Sequence, residues 1–373
     1  MLTFGAVSLP SINVELAEYS ELFMMIAAFI YTLAFILFTI DTAQSSRTIR
    51  RLETDLAREQ ESLTAQPMKV ATAAAGPPPA EAASPPPELK DTHNGARDPE
   101  LVDEDMAYIG TRRPLANTAI ALTVVAVAAH AFAVVSRGLA AHRWPLGNMY
   151  EFLVGAALIV ALVYLLALLR RDLRFIGSFV LGLVVAMMVA ATIGFPTPIG
   201  HVQPALQSPW LAIHVSLAVL SIGLFVLTFA MNVLQLLQSR RERALAENTA
   251  QGWGGFLAGR QFMRLVPKAF SLENWAYRIN AVAFVFWTLG PMITGAVWAR
   301  ESWGRYWGWD TKEVWTFVIW VVYAGYLHAR ATRGWTGTRS AWLSIIGFLC
   351  IIFNYAVVNV YFPGLHSYAG LPD

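Results

Sequence analysis

Apolar runs long enough to cross a bilayer recur along this chain, separated by short polar turns and one long polar interruption. A helix needs about 20 consecutive apolar residues to cross the hydrocarbon core. By that measure eight spans are predicted, at 21–40, 115–136, 150–169, 175–194, 211–236, 279–298, 314–330 and 340–361. The pattern predicts an all-α polytopic membrane protein. The interruption covers 42–113. Its start, Ser45 to Glu61, is charged and helix-prone, whereas Ala71 to Pro87 is an Ala/Pro tract that cannot build a core. The expected organisation is an N-terminal anchor helix (1–41), a disordered cytoplasmic linker (42–113) and a seven-helix body (114–373). The first apolar run is not expected to be a cleavable signal peptide, because acids precede it and no small-residue cleavage pattern follows.

Composition agrees with a membrane protein. The chain of 373 residues is 56% hydrophobic and 14% charged, with a mean hydropathy of +0.49, against about 25% charged residues in soluble domains. The net charge of +2 becomes informative only through its distribution. With the N-terminus placed outside, 22 of the 27 Lys and Arg fall on inner segments and 5 on outer ones. Positive charge marks the cytoplasmic side, so both termini are expected outside. The inner loop around 252–275, with Trp253, Phe256, Phe262, Leu265 and Trp275 among scattered Arg, reads as an amphipathic helix on the inner leaflet. The single cysteine, Cys350, excludes an internal disulfide, and no Cys-x-x-Cys is present for dithiol chemistry or covalent heme attachment.

One outer segment stands apart from the rest. Trp303-Gly-Arg-Tyr-Trp-Gly-Trp-Asp-Thr-Lys-Glu-Val-Trp315 carries four Trp and a Tyr in thirteen residues. An interfacial aromatic belt explains one or two Trp at a helix end. It does not explain Trp303, Trp307, Trp309 and Trp315 together with Tyr306 and two Gly. If the segment is helical, Trp303 and Trp307 share a face at i, i+4, and Gly304 and Gly308 form a bare stripe beside them. That is a shelf for a flat ligand such as a porphyrin, with Arg300, Arg305 and Lys312 available to its propionates. Asp310 and Glu313 have a plainer reading as the N-cap and N3 residues that begin the next helix.

The histidines are the candidate ligands. His214 lies at the outer start of the fifth span, and His366 lies five residues beyond the eighth. Both are therefore expected at the outer face. Two imidazoles bound to one iron bring their nitrogens to about 4 Å, twice a metal–nitrogen bond of roughly 2 Å, and this pair is compatible with that. His328 lies fourteen residues into the seventh span, about 21 Å below the outer surface at 1.5 Å per residue. It cannot join the other two. An ionisable residue inside a membrane is costly and usually functional, so a metal at His328 would take its second ligand from another chain. A cytochrome b-like electron carrier would place paired His on shared helices, and here no two His share a span.

The same residues carry a family resemblance. The Trp303–Trp315 stretch resembles the tryptophan-rich "WWD" signature of heme-handling membrane proteins in cytochrome c maturation, most of all the system II subunit of the CcsA type, also called CcsB or ResC. Further matches are Pro145-Leu-Gly-Asn-Met-Tyr-Glu-Phe152, Leu206-Gln-Ser-Pro-Trp-Leu-Ala-Ile-His214, Tyr326-Leu-His-Ala-Arg330 and Gly364-Leu-His-Ser-Tyr368. The resemblance covers about 115–370. Thr311 departs from it, standing where the family commonly has Pro. What the resemblance implies is heme b carried as cargo, with Trp303, Trp307, Trp309 and Asp310 at an external heme site. His214 and His366 would be its iron ligands, and His328 a transmembrane ligand. The implied partners are a companion ResB/CcsB-type subunit near His328 and apocytochrome c, whose Cys-x-x-Cys-His thiols receive the heme. The implied location is the plasma membrane, with the functional face outside the cytoplasm. A system I heme-handling component is the nearest alternative. A non-heme transporter would show broken-helix repeats in two halves, and none is legible here.

Overall fold

Capping chemistry sets where the helices begin. Pro114 and Pro209 occupy first-turn positions, where a missing N–H costs nothing. Asn148 and Ser208 accept from the backbone N–H groups of Glu151 and Trp210 at 2.9 and 3.1 Å. The computed structural model describes residues 11–64, 113–202, 206–247, 255–257, 261–332, 334–362 and 364–366, and among these all regular structure is helical. The long helices are α1 (Val14–Thr64), α2 (Pro114–Ala140), α3 (Met149–Leu168) and α4 (Gly177–Gly194). They are followed by α5 (Pro209–Ala246), α6 (Ala269–Trp303), α7 (Thr311–Ala331) and α8 (Thr338–Tyr361).

Seven of these, all but α7, are long and apolar enough to cross a membrane. Helix α7 stands where the seventh span is predicted and has 21 residues, about 30 Å at helical rise. It is less apolar because Lys312 and Glu313 open it and His328 and Arg330 close it.

Helix α1 continues through the charged, helix-prone stretch to Thr64, and the Ala/Pro tract lies outside the described residues. The N-terminal helix packs in the same core as the body: Ala27, Tyr31, Ala34 and Phe38 are fully buried. Arg113 donates to buried Asp41 at 2.8 Å from Nε, and Asp41 also accepts from the Ala116 N–H at 3.2 Å. A carboxylate at the positive end of α2 thus ties α1 to α2.

The inner loop departs from expectation. Among its described residues the segment is broken into a helical stretch at 255–257, a short 3-10 turn, Gln261–Leu265, and the beginning of α6 at Ala269. Met263, Leu265 and Val266 are buried against the bundle, because the core supplies a better apolar surface than the membrane interface. Trp253 lies outside the described residues.

Helix α5 runs through the middle of the bundle, joined to α6 and α8 by a buried polar seam. Thr228 donates to Asn280 Oδ1 at 2.7 Å, and Asn232 and Asn280 both donate to Ser344 Oγ at 3.0 Å. Such side-chain bonds hold helices together where apolar contact discriminates poorly between neighbour and lipid.

Candidate functional site

The start of α5, the end of α6, the loop 304–310, the start of α7 and the end of α8 meet at one end of the bundle. Two widened helical turns shape the meeting point. Thr288–Thr294 in α6 is a π-helical segment around Pro291, and Asn354–Val358 in α8 is another. Such segments redirect backbone carbonyls that an α-helix would keep for itself. The Gly290 carbonyl accepts from His214 Nδ1 at 3.2 Å, and the Asn354 carbonyl accepts from Lys312 Nζ at 2.8 Å. Glycine is required at two close approaches. A Cβ on Gly295 would lie 2.8 Å from the His214 ring, and one on Gly364 would lie 2.1 Å from Asp310 Oδ1.

His366 Nδ1 donates to Asp310 Oδ2 at 2.8 Å, and the Leu365 N–H donates to Asp310 Oδ1 at 3.2 Å. The hydrogen bond from His366 is the largest influence holding the Asp310 carboxyl below the usual aspartate range, outweighing the burial that would raise it. A carbonyl and a carboxylate can only accept. In their neutral form both imidazoles therefore carry the proton on Nδ1 and present the lone pair of Nε2. That is the tautomer a metal-ligating histidine needs, fixed by the bond its other nitrogen makes.

Between the two rings stands Trp298, 2% exposed. Its indole stacks on His214 at 5.7 Å with 13° between planes and meets His366 edge-on at 5.6 Å. Trp303 closes the group, 4.9 Å from His366 and 4.7 Å from Trp298. The cavity beside them is about 180 Å³, lined by His214, Trp298, Trp307, Lys312, Asn354 and His366 among others. Ligand sites usually measure about 300–1,000 Å³, so this cavity is small for a large planar ligand, and Trp298 is one of the residues that bound it.

The Trp-rich stretch is not the helical shelf that i, i+4 spacing predicts. Helix α6 ends at Trp303, and Gly304 takes a left-handed conformation at φ +76° with its N–H on the Arg300 carbonyl. Glycine there stops the helix at little steric cost. Trp303 and Trp307 consequently reach the site from different backbones, one helical and one looped. Trp307 lines the cavity, whereas Trp309 is 71% exposed at φ +57° and meets Trp307 edge-on at 6.0 Å. Among the three predicted cations, Lys312 lines the cavity. Arg300 binds the Gly304 carbonyl and lies over the Tyr306 ring at 5.8 Å, and the Arg305 guanidinium lies against Gly308. Glu313 begins α7 by accepting from the N–H groups of Asp310 at 3.1 Å and Gly308 at 2.7 Å. Asp310 does more than begin a helix, because it also orients His366.

His328 is far from this group, seventeen residues along α7 from Thr311 or about 25 Å of helix. It is exposed, on the side of α7 that also exposes Phe317 and Val321. His142 and His201 border a separate groove of about 840 Å³ between α2, α3 and α5. His130 is buried edge-on to Tyr31 at 5.8 Å.

Sequence reasoning missed Trp298, Asn354 and Tyr355. Trp298 sits at the end of a predicted span and reads there as one more interfacial aromatic. Its spacing of five from Trp303 was the available signal. Asn354 and Tyr355 enter the cavity only because the π-helical turn rotates them inward, which no helical periodicity announces.

A family model described as Cytochrome C assembly protein matches residues 146–366, which include His214, the Trp-rich stretch, His328 and His366. The chain is 35% identical over 252 residues to the cytochrome c biogenesis protein CcsA of Heterosigma akashiwo, covering 61% of this chain and 77% of that one. It is 34% identical over 257 residues to CcsA of Solanum tuberosum, covering 64% and 81%. With CcsA of Prochlorococcus marinus the identity is 34% over 254 residues, covering 64% and 79%.

Proposed function

Because the chain belongs to the cytochrome c assembly protein family and takes part in cytochrome c maturation as a multi-pass membrane protein, we propose that its aromatic pocket holds heme b as cargo between His214 and His366. The observation that carries this reading is the pair of imidazoles whose Nδ1 atoms are tied to Gly290 and Asp310. Their Nε2 lone pairs are left for iron. In the heme-loaded state Trp298 yields its place to the porphyrin, Trp303 and Trp307 pack against the macrocycle, and Lys312 pairs with a propionate. Trp309, exposed at the rim, contacts the part of the heme that faces the substrate protein.

The site lies at the outer face of the plasma membrane, with both termini outside, an orientation supported by the basic inner segments. The N-terminal region 1–41 adds its helix to the body, and 42–113, into which α1 continues as far as Thr64, connect the two on the cytoplasmic side. His328 is an earlier station for the heme, its second ligand coming from a ResB/CcsB-type subunit seated against the exposed side of α7. The exposure of His328 on that helix supports a ligand shared with another chain. At the outer site the vinyl groups meet the Cys-x-x-Cys-His thiols of apocytochrome c. Each thiol adds across a vinyl double bond, forming a C–S bond and passing its hydrogen to the neighbouring carbon. The protein's contribution is to hold both reactants in register, an effect of proximity and orientation.

The test is to purify the chain with its companion subunit and record heme absorbance. A low-spin, bis-histidine spectrum is expected, weakened by His214→Ala or His366→Ala and partly restored by imidazole. Full heme content and full cytochrome c maturation in the double variant would overturn the outer site. His328→Ala is expected to lower outer loading as well, and normal loading there would overturn the two-station route.

A further inference from the structure

Helices α2 and α3 touch over part of their length, and towards the end of the bundle opposite the aromatic site a gap opens between them. A groove of about 880 Å³ runs between them. Ile120, Val124, Val127, Ala128 and Ala131 line one wall and Leu162, Leu165, Leu166 and Leu169 the other. Each set repeats at helical spacing, so these are two apolar stripes that face one another without meeting. Close packing is the rule where apolar stripes meet inside a protein, and an open slot of this size calls for an occupant.

The mouth of the groove says what kind. Asn117, Arg170, Arg171, Asp172 and Arg174 gather there, three cations against one anion. Arg174 is held by Asp172, with Nε at 2.8 and 3.0 Å from its two oxygens, and by Asn117 Oδ1 at 3.1 Å. Arg171 lies over the Trp275 ring at 4.6 Å. Arg170 is exposed and turned to the surface. From Asn117 to Ala131 the groove follows fourteen residues, about 21 Å of helix, more than the roughly 15 Å of one leaflet of a 30 Å core. Among the described residues no imidazole, thiol or thioether lines it, so these walls offer no ligand to an iron atom.

We propose that the groove between α2 and α3 binds one anionic glycerophospholipid, with an acyl chain along the two apolar walls and its phosphate against Arg170 and Arg171. The basic end lies on the side that the charge distribution assigns to the cytoplasm, where anionic lipids collect and a basic residue near the surface attracts them. The lipid completes the contact between α2 and α3 that the side chains leave open.

The experiment uses the full chain purified in detergent, titrated with phosphatidylglycerol, with phosphatidylcholine of the same chains, with inorganic phosphate and with heme. Retained lipid is read by mass spectrometry and stability by thermal melting. Phosphatidylglycerol is expected to be retained and to raise the melting temperature, with phosphatidylcholine and free phosphate much weaker. Arg170→Gln should weaken phosphatidylglycerol about fivefold, the equivalent of ~1 kcal/mol for one basic side chain, and leave phosphatidylcholine unchanged. Ala128→Trp, or Val124→Phe if that variant does not fold, should block the groove and remove the lipid effect while heme absorbance persists. Equal effects of the two lipids would overturn the proposal, as would displacement of phosphatidylglycerol by heme or indifference to Arg170→Gln. Lipid retention and the melting temperature are read without heme, so failure of the aromatic-pocket reading would leave them unchanged.

Discussion

Replacing Asp310 with Asn tests whether the second ligand is prepared by its carboxylate. Asn keeps nearly the same shape but has one accepting oxygen where the carboxylate has two, so it accepts from His366 Nδ1 or from the Leu365 N–H but not from both, and it removes the negative charge. In the native site that charge receives the His366 hydrogen bond at 2.8 Å and the Leu365 N–H at 3.2 Å. Changes to a partner of a metal-ligating histidine typically cost about 10–100-fold in affinity, which is ~1.4–2.8 kcal/mol. Asp310→Asn is therefore expected to weaken heme binding by about tenfold or more. Asp310→Ala should weaken it further, losing the hydrogen bond and ~1 kcal/mol of helix capping as well. The assay is a heme titration of the purified protein followed by low-spin absorbance, with free imidazole as the rescuing ligand. A carboxyl held below its ordinary range, ~3.9, contributes fully above that range, and its contribution is lost only as pH falls through the lowered value. Wild-type affinity in both variants would refute the orienting role, and loss of helical content in Asp310→Asn would refute the claim that Asn preserves the fold.

Three further outcomes follow from the packing. Trp298→Ala should destabilise the heme-free protein by about 3–5 kcal/mol yet speed heme association, since in the proposed heme-loaded state the porphyrin takes the indole's place. Slower association in stopped-flow absorbance would contradict that placement. Asp41→Ala leaves Arg113 buried without its carboxylate, and breaking a buried pair from one side costs about 3–5 kcal/mol; an unchanged thermal midpoint would refute the pairing. Ser344→Ala removes the acceptor shared by Asn232 and Asn280 and should cost about 1–3 kcal/mol without altering the heme spectrum, separating the polar seam from the site.

The Trp-rich stretch shows how far local pattern reaches. Its density announces a site, and Asp310 with Glu313 announces the start of α7, because capping depends on neighbours three residues apart. Whether Trp303 and Trp307 share a face depends on where α6 stops. Gly304 stops it one residue past Trp303, a decision made by a single left-handed residue within an otherwise plausible helical window. The π-helical turns are less legible still. Pro291 marks one of them, but nothing in the order of residues says that the Gly290 carbonyl swings to His214 or that the Asn354 carbonyl meets Lys312.

Apolar run length, the skew of Lys and Arg and the spacing of the histidines are properties of the chain itself. They suffice for a helical membrane protein with two histidines at one end and a third about 21 Å deeper in the seventh span. Side-chain direction at helix ends is not such a property, because it depends on where each helix stops and what packs beside it. Tertiary structure alone set Trp298 between the two imidazoles, joined Asp310 to His366 across 56 residues and left a groove open between α2 and α3. Contacts between residues far apart in sequence are decided by how whole helices pack, and no local period encodes that packing.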